Sequence, residues 1–195
     1  MTDRKGSSSG EAMHEALGFK KLARENWRSL DPISAMTVIV GRQSVRPMTA
    51  DEVAELILRR DLSPKVPHRI RQLFEVARGS LCYGAFFYPL YALGAEQLYR
   101  VLEAALRTKC EEAGAPASVL KSFRNANEWG AKQGLIAEEH VNQWRVMAHL
   151  RNEASHPTQQ TIHNQAMSLD ILDITVDLLD ALFDMFPNGD QQSGV

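Results

Sequence analysis

The sequence predicts an all-α protein, an up-and-down four-helix bundle with an N-terminal helical extension. Three observations carry this. From residue 50 onward, apolar residues recur at three- and four-residue spacings, the period of one helix face. The connections between these stretches are short, which favours antiparallel neighbours. After residue 45 no alternating stretch of useful length marks a strand.

Composition bounds the rest. With 195 residues and 44% hydrophobic content, the chain can bury a sizeable core. A net charge of -2 excludes a protein that coats nucleic acid through a global basic surface, so any such contact must be local. Cys82 and Cys110 fall inside expected helices and no secretory signal precedes them. Free thiols and a reducing, cytoplasmic setting are therefore expected. The longest uncharged stretch, Gly79 to Ala95, is short for a bilayer and holds Pro89 and three tyrosines. It reads as a buried helix, and no membrane span is assigned.

Taken in order, residues 1–10 are polar and Gly/Ser-rich, and they are expected to form a disordered tail. Residues 11–61 form the extension. Leu17, Leu22 and Trp27 suggest a helix over 11–27, and the β-branched run from Met36 to Val40 suits either a strand or a helix. Thr49 with Glu52 has the form of a capping box ahead of Val53, Leu56 and Ile57, which predicts a helix over 50–60.

Leu62-Ser63-Pro64 stops that helix and opens the bundle, residues 62–186. Pro67 suits the first turn of a helix carrying Ile70, Leu73, Phe74 and Ala77, with Gly79 as its candidate break. Ser80 to Glu112 is apolar on most sides, with Tyr83, Phe87, Leu90, Leu98, Val101 and Ala105 at helical spacings, and reads as one central core helix ended by Gly114 and Pro116. Further helices are expected over 117–133, 138–154 and 161–186, with Pro157 separating the last two. Residues 187–195 are expected to be a flexible tail.

The chemistry-bearing stretch is Arg151-Asn152-Glu153-Ala154-Ser155-His156, at the end of the third bundle helix. An arginine, a polar residue, three more residues and a histidine at this position resemble the signature of the HEPN superfamily. Leu62-Ser63-Pro64-Lys65-Val66-Pro67, Leu93-Gly94-Ala95-Glu96 and Leu102-Glu103-Ala104-Ala105-Leu106-Arg107 also resemble a bacterial HEPN family of largely uncharacterised proteins. The resemblance covers residues 62–186. It implies a HEPN-like bundle acting as a homodimer, with RNA as substrate and no cofactor or metal. It also implies cleavage by a ribose 2′-hydroxyl attacking its own phosphate, and a role as toxin or antiphage-defence effector with a cognate antitoxin or defence-system protein.

The residue types suit that chemistry. Arg151 stays charged and presents a planar fork matched to phosphate oxygens. His156, with an unperturbed pKa of about 6.5, can move a proton near neutral pH, an effect worth roughly 10²–10⁴-fold. Asn152 lies four residues before His156 and can orient its ring or the phosphate. Ser155 and Arg145 are the candidate substrate-binding residues. Each has a plain structural reading as well: Arg151 lies seven residues after Trp144, near the apolar stripe, where its head would pair with an acidic neighbour. His156 would then only cap a helix end. That reading leaves a non-catalytic helical module binding a protein partner or nucleotide.

Other patterns carry less. His149, His156 and His163 repeat every seven residues, but Pro157 interrupts the helix that metal ligation would need. The aspartates from Asp170 to Asp184 read as a solvated face opposite an apolar stripe. Met48 to Leu56 resembles the first helix of a helix-turn-helix unit, but Pro64 and Pro67 stand where its turn and second helix should begin. Arg100, Arg107, Lys121, Arg124, Lys132 and Arg145 are the basic residues available to an RNA groove.

Overall fold

A computed structural model describes residues 19–40, 45–154 and 163–184; within these the chain is mostly helical, with six α-helices and one two-stranded ribbon. The expected terminal tails, 1–10 and 187–195, lie outside the described residues, as do residues 11–18 of the expected first helix. The rest of that helix does not form: residues 19–30 are irregular, with a turn over 24–28. Its intended apolar face is not used, since Leu22 and Trp27 are 50% and 53% exposed. Polar anchoring replaces it. Lys20 Nζ donates to the carbonyls of Asn26 and Ser29 at 3.0 and 2.8 Å, and the Asn26 side chain accepts from the Ala23 amide. Such side-chain bonds to nearby backbone compete with helical ones.

The β-branched run resolves as a strand. After one 3₁₀ turn, Ser34–Met36, β1 (Val38–Val40) pairs antiparallel with β2 (Val45–Pro47), Ile39 opposite Arg46. Arg46 then forks onto Glu52 at 2.8 and 2.5 Å, tying the ribbon to α1 (Ala50–Leu58). The expected capping box forms: Thr49 Oγ1 accepts from the Glu52 amide, and the Glu52 carboxylate accepts from the Thr49 amide. The bond from Arg46, then that from Thr49, lower the Glu52 pKa to about 2.

Pro67 caps α2 (His68–Tyr83), its carbonyl accepting from the amides of Ile70 and Arg71. Ile70, Phe74, Ala77 and Leu81 form the buried face. The break expected at Gly79 falls instead at Gly84–Pro89, so the single helix expected over Ser80–Glu112 is two. Tyr83, expected in the core, is 65% exposed at the end of α2. Pro89, which has no amide to bond backwards, caps α3 (Leu90–Glu112). The buried Asp31 carboxylate accepts from the Tyr88 amide at 3.1 Å and so holds this connection against the N-terminal segment.

α3 is the core helix. It packs against α2, α4 (Phe123–Lys132), α5 (Val141–Ala154) and α6 (Gln165–Asp184). Being covered on most sides, it buries residues all round, from Tyr91 and Leu98 to Leu106 and Cys110. At Gly94 a Cβ would sit 2.5 Å from the Leu81 side chain, so the glycine sets how closely α2 and α3 approach. Gly114, at φ 77°, ends the helix as expected, and the Ala115 amide bonds the Cys110 carbonyl at 2.9 Å. The last three helices are shorter than expected. 3₁₀ turns over Val119–Lys121 and Glu138–His140 precede α4 and α5, and α6 starts at Gln165. Pro157 lies outside the described residues.

The aspartate face of α6 is more than a solvated surface. Asp173 pairs with Arg60, Asp184 Oδ1 with Lys65 at 3.0 Å, and Asp180 Oδ1 accepts from the Ser63 amide at 2.9 Å, docking the α1–α2 connection. That connection spans residues 59–67, far longer than a helix-turn-helix turn. Both cysteines are free thiols, and burial raises the Cys110 pKa to about 11. No helix among the described residues is long and apolar enough to cross a membrane.

Candidate functional site

α3, α4 and α5 form a cleft of about 620 Å³, and three of the five sequence-derived candidates, Arg145, Arg151 and Asn152, line it. From α5 come Arg145, His149, Arg151 and Asn152; from α3, Glu103 and Arg107; the start of α4 adds Lys121, Arg124, Asn127 and Glu128. Five Lys or Arg side chains against two Glu leave a formal charge of +3 in a chain whose net charge is -2. The cleft is thus locally basic in a chain that is not basic as a whole. Four of the six basic residues named for an RNA groove line it; Arg100 and Lys132 do not.

Helical periodicity places the α5 residues. Trp144 and Met147 are buried, and Arg151 continues their stripe, so its side chain points back toward α3 and is only 33% exposed. There its Nε donates to Glu103 Oε2 at 2.7 Å, while Arg107 Nη2 meets Glu103 Oε1 at 2.7 Å. One buried carboxylate thus holds two guanidiniums at the cleft wall, which fits the structural reading of Arg151 in part. Arg145 and Asn152 lie on the exposed side of the same helix. Arg145 Nη1 reaches Asn142 Oδ1 at 3.5 Å. His149 Nε2 lies 3.4 Å from Glu153 Oε1.

Ser122 starts α4 by accepting from the Asn125 amide at 3.1 Å, which aims the helix's first turn at the cleft. Phe123 packs edge-on against Trp144, centroids 6.1 Å apart, joining α4 to α5 beneath it. His156 and Ser155 lie outside the described residues, so the predicted neighbourhood of Asn152 and His156 does too.

No protein-family model, curated protein or solved structure matches the chain. The site is therefore defined by its own residues. Sequence reasoning did not single out Glu103 or Asn127 as site residues. The signal was a polar residue on an otherwise apolar stripe: Glu103 between Leu102 and Ala105, and Asn127 in register with Phe123 and Gly130. Among the described residues no three His, Cys, Asp or Glu side chains group as metal ligands. The cleft as it stands can bind and orient an anion through guanidinium and ammonium groups.

Proposed function

We propose that the protein is a metal-independent endoribonuclease of the HEPN type, working as a homodimer with a HEPN-like four-helix bundle at its centre. The observation that carries this is the gathering of Arg151, Asn152 and Arg145 in one cationic cleft. In this reading Arg145 and Arg107 hold the strand. Arg151 offsets charge that builds on the phosphate oxygens during attack. The 2′-oxygen forms a bond to phosphorus as the bond to the 5′-oxygen breaks. His156 moves the proton lost by the 2′-hydroxyl or gained by the 5′-oxygen, and the products are a 2′,3′-cyclic phosphate and a 5′-hydroxyl. A toxin or antiphage-defence role in the cytoplasm, with a cognate antitoxin or defence-system protein, belongs to the same reading.

The test is cleavage of a mixed RNA pool in excess EDTA by wild-type protein and by His156→Ala. EDTA-resistant cutting with cyclic-phosphate ends, abolished in the variant, is the expected result. Cleavage equal in both would overturn the assignment.

One observation favours a second reading. The Arg151–Glu103 pair is the contact expected of a structural arginine, and a non-catalytic module binding a protein partner or nucleotide would keep it for packing. In that case the protein binds without cutting and is monomeric at micromolar concentration.

A further inference from the structure

In α4 the cleft holds a polar side chain with no hydrogen-bond partner among the described residues. Asn127 is 2% exposed, and neither its amide nitrogen nor its carbonyl oxygen makes a hydrogen bond. Burying an amide in that state costs free energy that an apolar residue of similar size avoids, and native proteins rarely leave both atoms so. A ligand in the cleft would relieve the cost.

The surroundings say what kind of ligand. α4 presents its amino end here, where first-turn amides lack intrahelical acceptors and the helix dipole is positive. Lys121 and Arg145 are exposed and pair with no carboxylate among the described residues. Arg124 pairs with Glu128 at 3.0 Å, but both side chains are at least half exposed and such a pair yields readily to a stronger anion. Glu103, the other acid, is neutralised by Arg107 and Arg151 and does not repel an anion.

We propose that the amino end of α4 is a phosphate-binding subsite of this cleft. Lys121, Arg145 and Arg124 surround the phosphate, the Phe123 and Arg124 amides, which the Ser122 cap leaves open, point at its oxygens, and the Asn127 amide donates to one of them from the cleft floor. The identification of that phosphate as part of an RNA rests on the ribonuclease reading; the subsite does not. Two sources share the chemistry, a phosphodiester within a strand and the terminal phosphate of a free nucleotide.

The experiment uses a labelled 2′-O-methyl oligoribonucleotide, which cannot be cut because it lacks the attacking hydroxyl, and follows its binding by fluorescence anisotropy. Lys121→Gln with Arg145→Gln should weaken binding about tenfold or more and reduce the slope of log K against log salt by about 1.4, two single-strand contacts. Asn127→Leu should weaken binding about tenfold while its melting temperature stays level or rises, a combination a merely structural asparagine would not produce. Affinity unchanged in both variants overturns the subsite, and should Asn127→Leu fail to fold, the surface double variant decides alone.

Competition by AMP and inorganic phosphate at millimolar concentration assigns the subsite to a terminal phosphate. Competition by unlabelled strand alone assigns it to a phosphodiester. Cleavage of unmodified RNA is read separately. Variant-sensitive binding without cleavage removes the ribonuclease reading and keeps the subsite, and cleavage with variant-insensitive binding does the reverse.

Discussion

Glu103 illustrates what one buried charge does at this site. Its carboxylate is 9% exposed and serves two arginines, so removing it deletes an ion pair from each guanidinium beside the core. Glu103→Gln should lower stability by about 2 kcal/mol in urea denaturation, less than a fully buried pair would cost, because both arginines are one-third exposed. His163 is a second residue-scale lever. Burial lowers its pKa, the nearby Glu96 carboxylate opposes this in part, and its Nδ1 has no hydrogen-bond partner among the described residues. With the folded pKa depressed, the unfolded chain binds the proton more readily. The stability contribution is thus intact above the unfolded pKa of about 6.5 and is lost as pH falls below it. The melting temperature of His163→Gln should fall less between pH 7 and pH 5 than that of the wild type.

At the scale of elements, caps and close approaches dominate. Ser122 is the side-chain N-cap of α4, and the cleft depends on where α4 begins. Ser122→Ala should cost about 1 kcal/mol, measured as a shift in denaturation midpoint. Gly94→Ala should cost about 1–3 kcal/mol, because the new methyl meets Leu81 and forces α2 from α3. The boundaries that were legible had local causes. Thr49 with Glu52, Pro67 and Gly114 each act within a few residues of themselves. The split between α2 and α3 had no such signature. Gly79 and Gly84 look equivalent in sequence, but only Gly84 faces the Tyr91 ring, where a Cβ would come within 2.7 Å; nothing lies within 4 Å of one at Gly79.

Over the whole molecule, charge is segregated. The cleft is cationic, whereas α6 carries five aspartates, three of them bonded to Arg60, Ser63 or Lys65. On the ribonuclease reading, RNA crosslinked to the protein should therefore map to α3, α4 and α5 and not to α6, and the crosslinks should fade as salt rises. Crosslinks centred on α6 would contradict the cleft as the binding face.

The sequence by itself determined the helical class, the capping box, the apolar stripes and the placement of Arg151 near one of them. These follow from periodicity and from residues acting on their immediate neighbours. It also marked most of the cleft cations as available. Only the tertiary structure decided that Arg107, Lys121, Arg124, Arg145 and Arg151 share one cleft, because they sit on three helices or just before one, and their convergence depends on how α4 and α5 pack across α3. It likewise decided that residues 19–30 are not helical, since Leu22 and Trp27 find no core to face. A local pattern can say that a helix has an apolar side; what that side meets is a property of the packed chain.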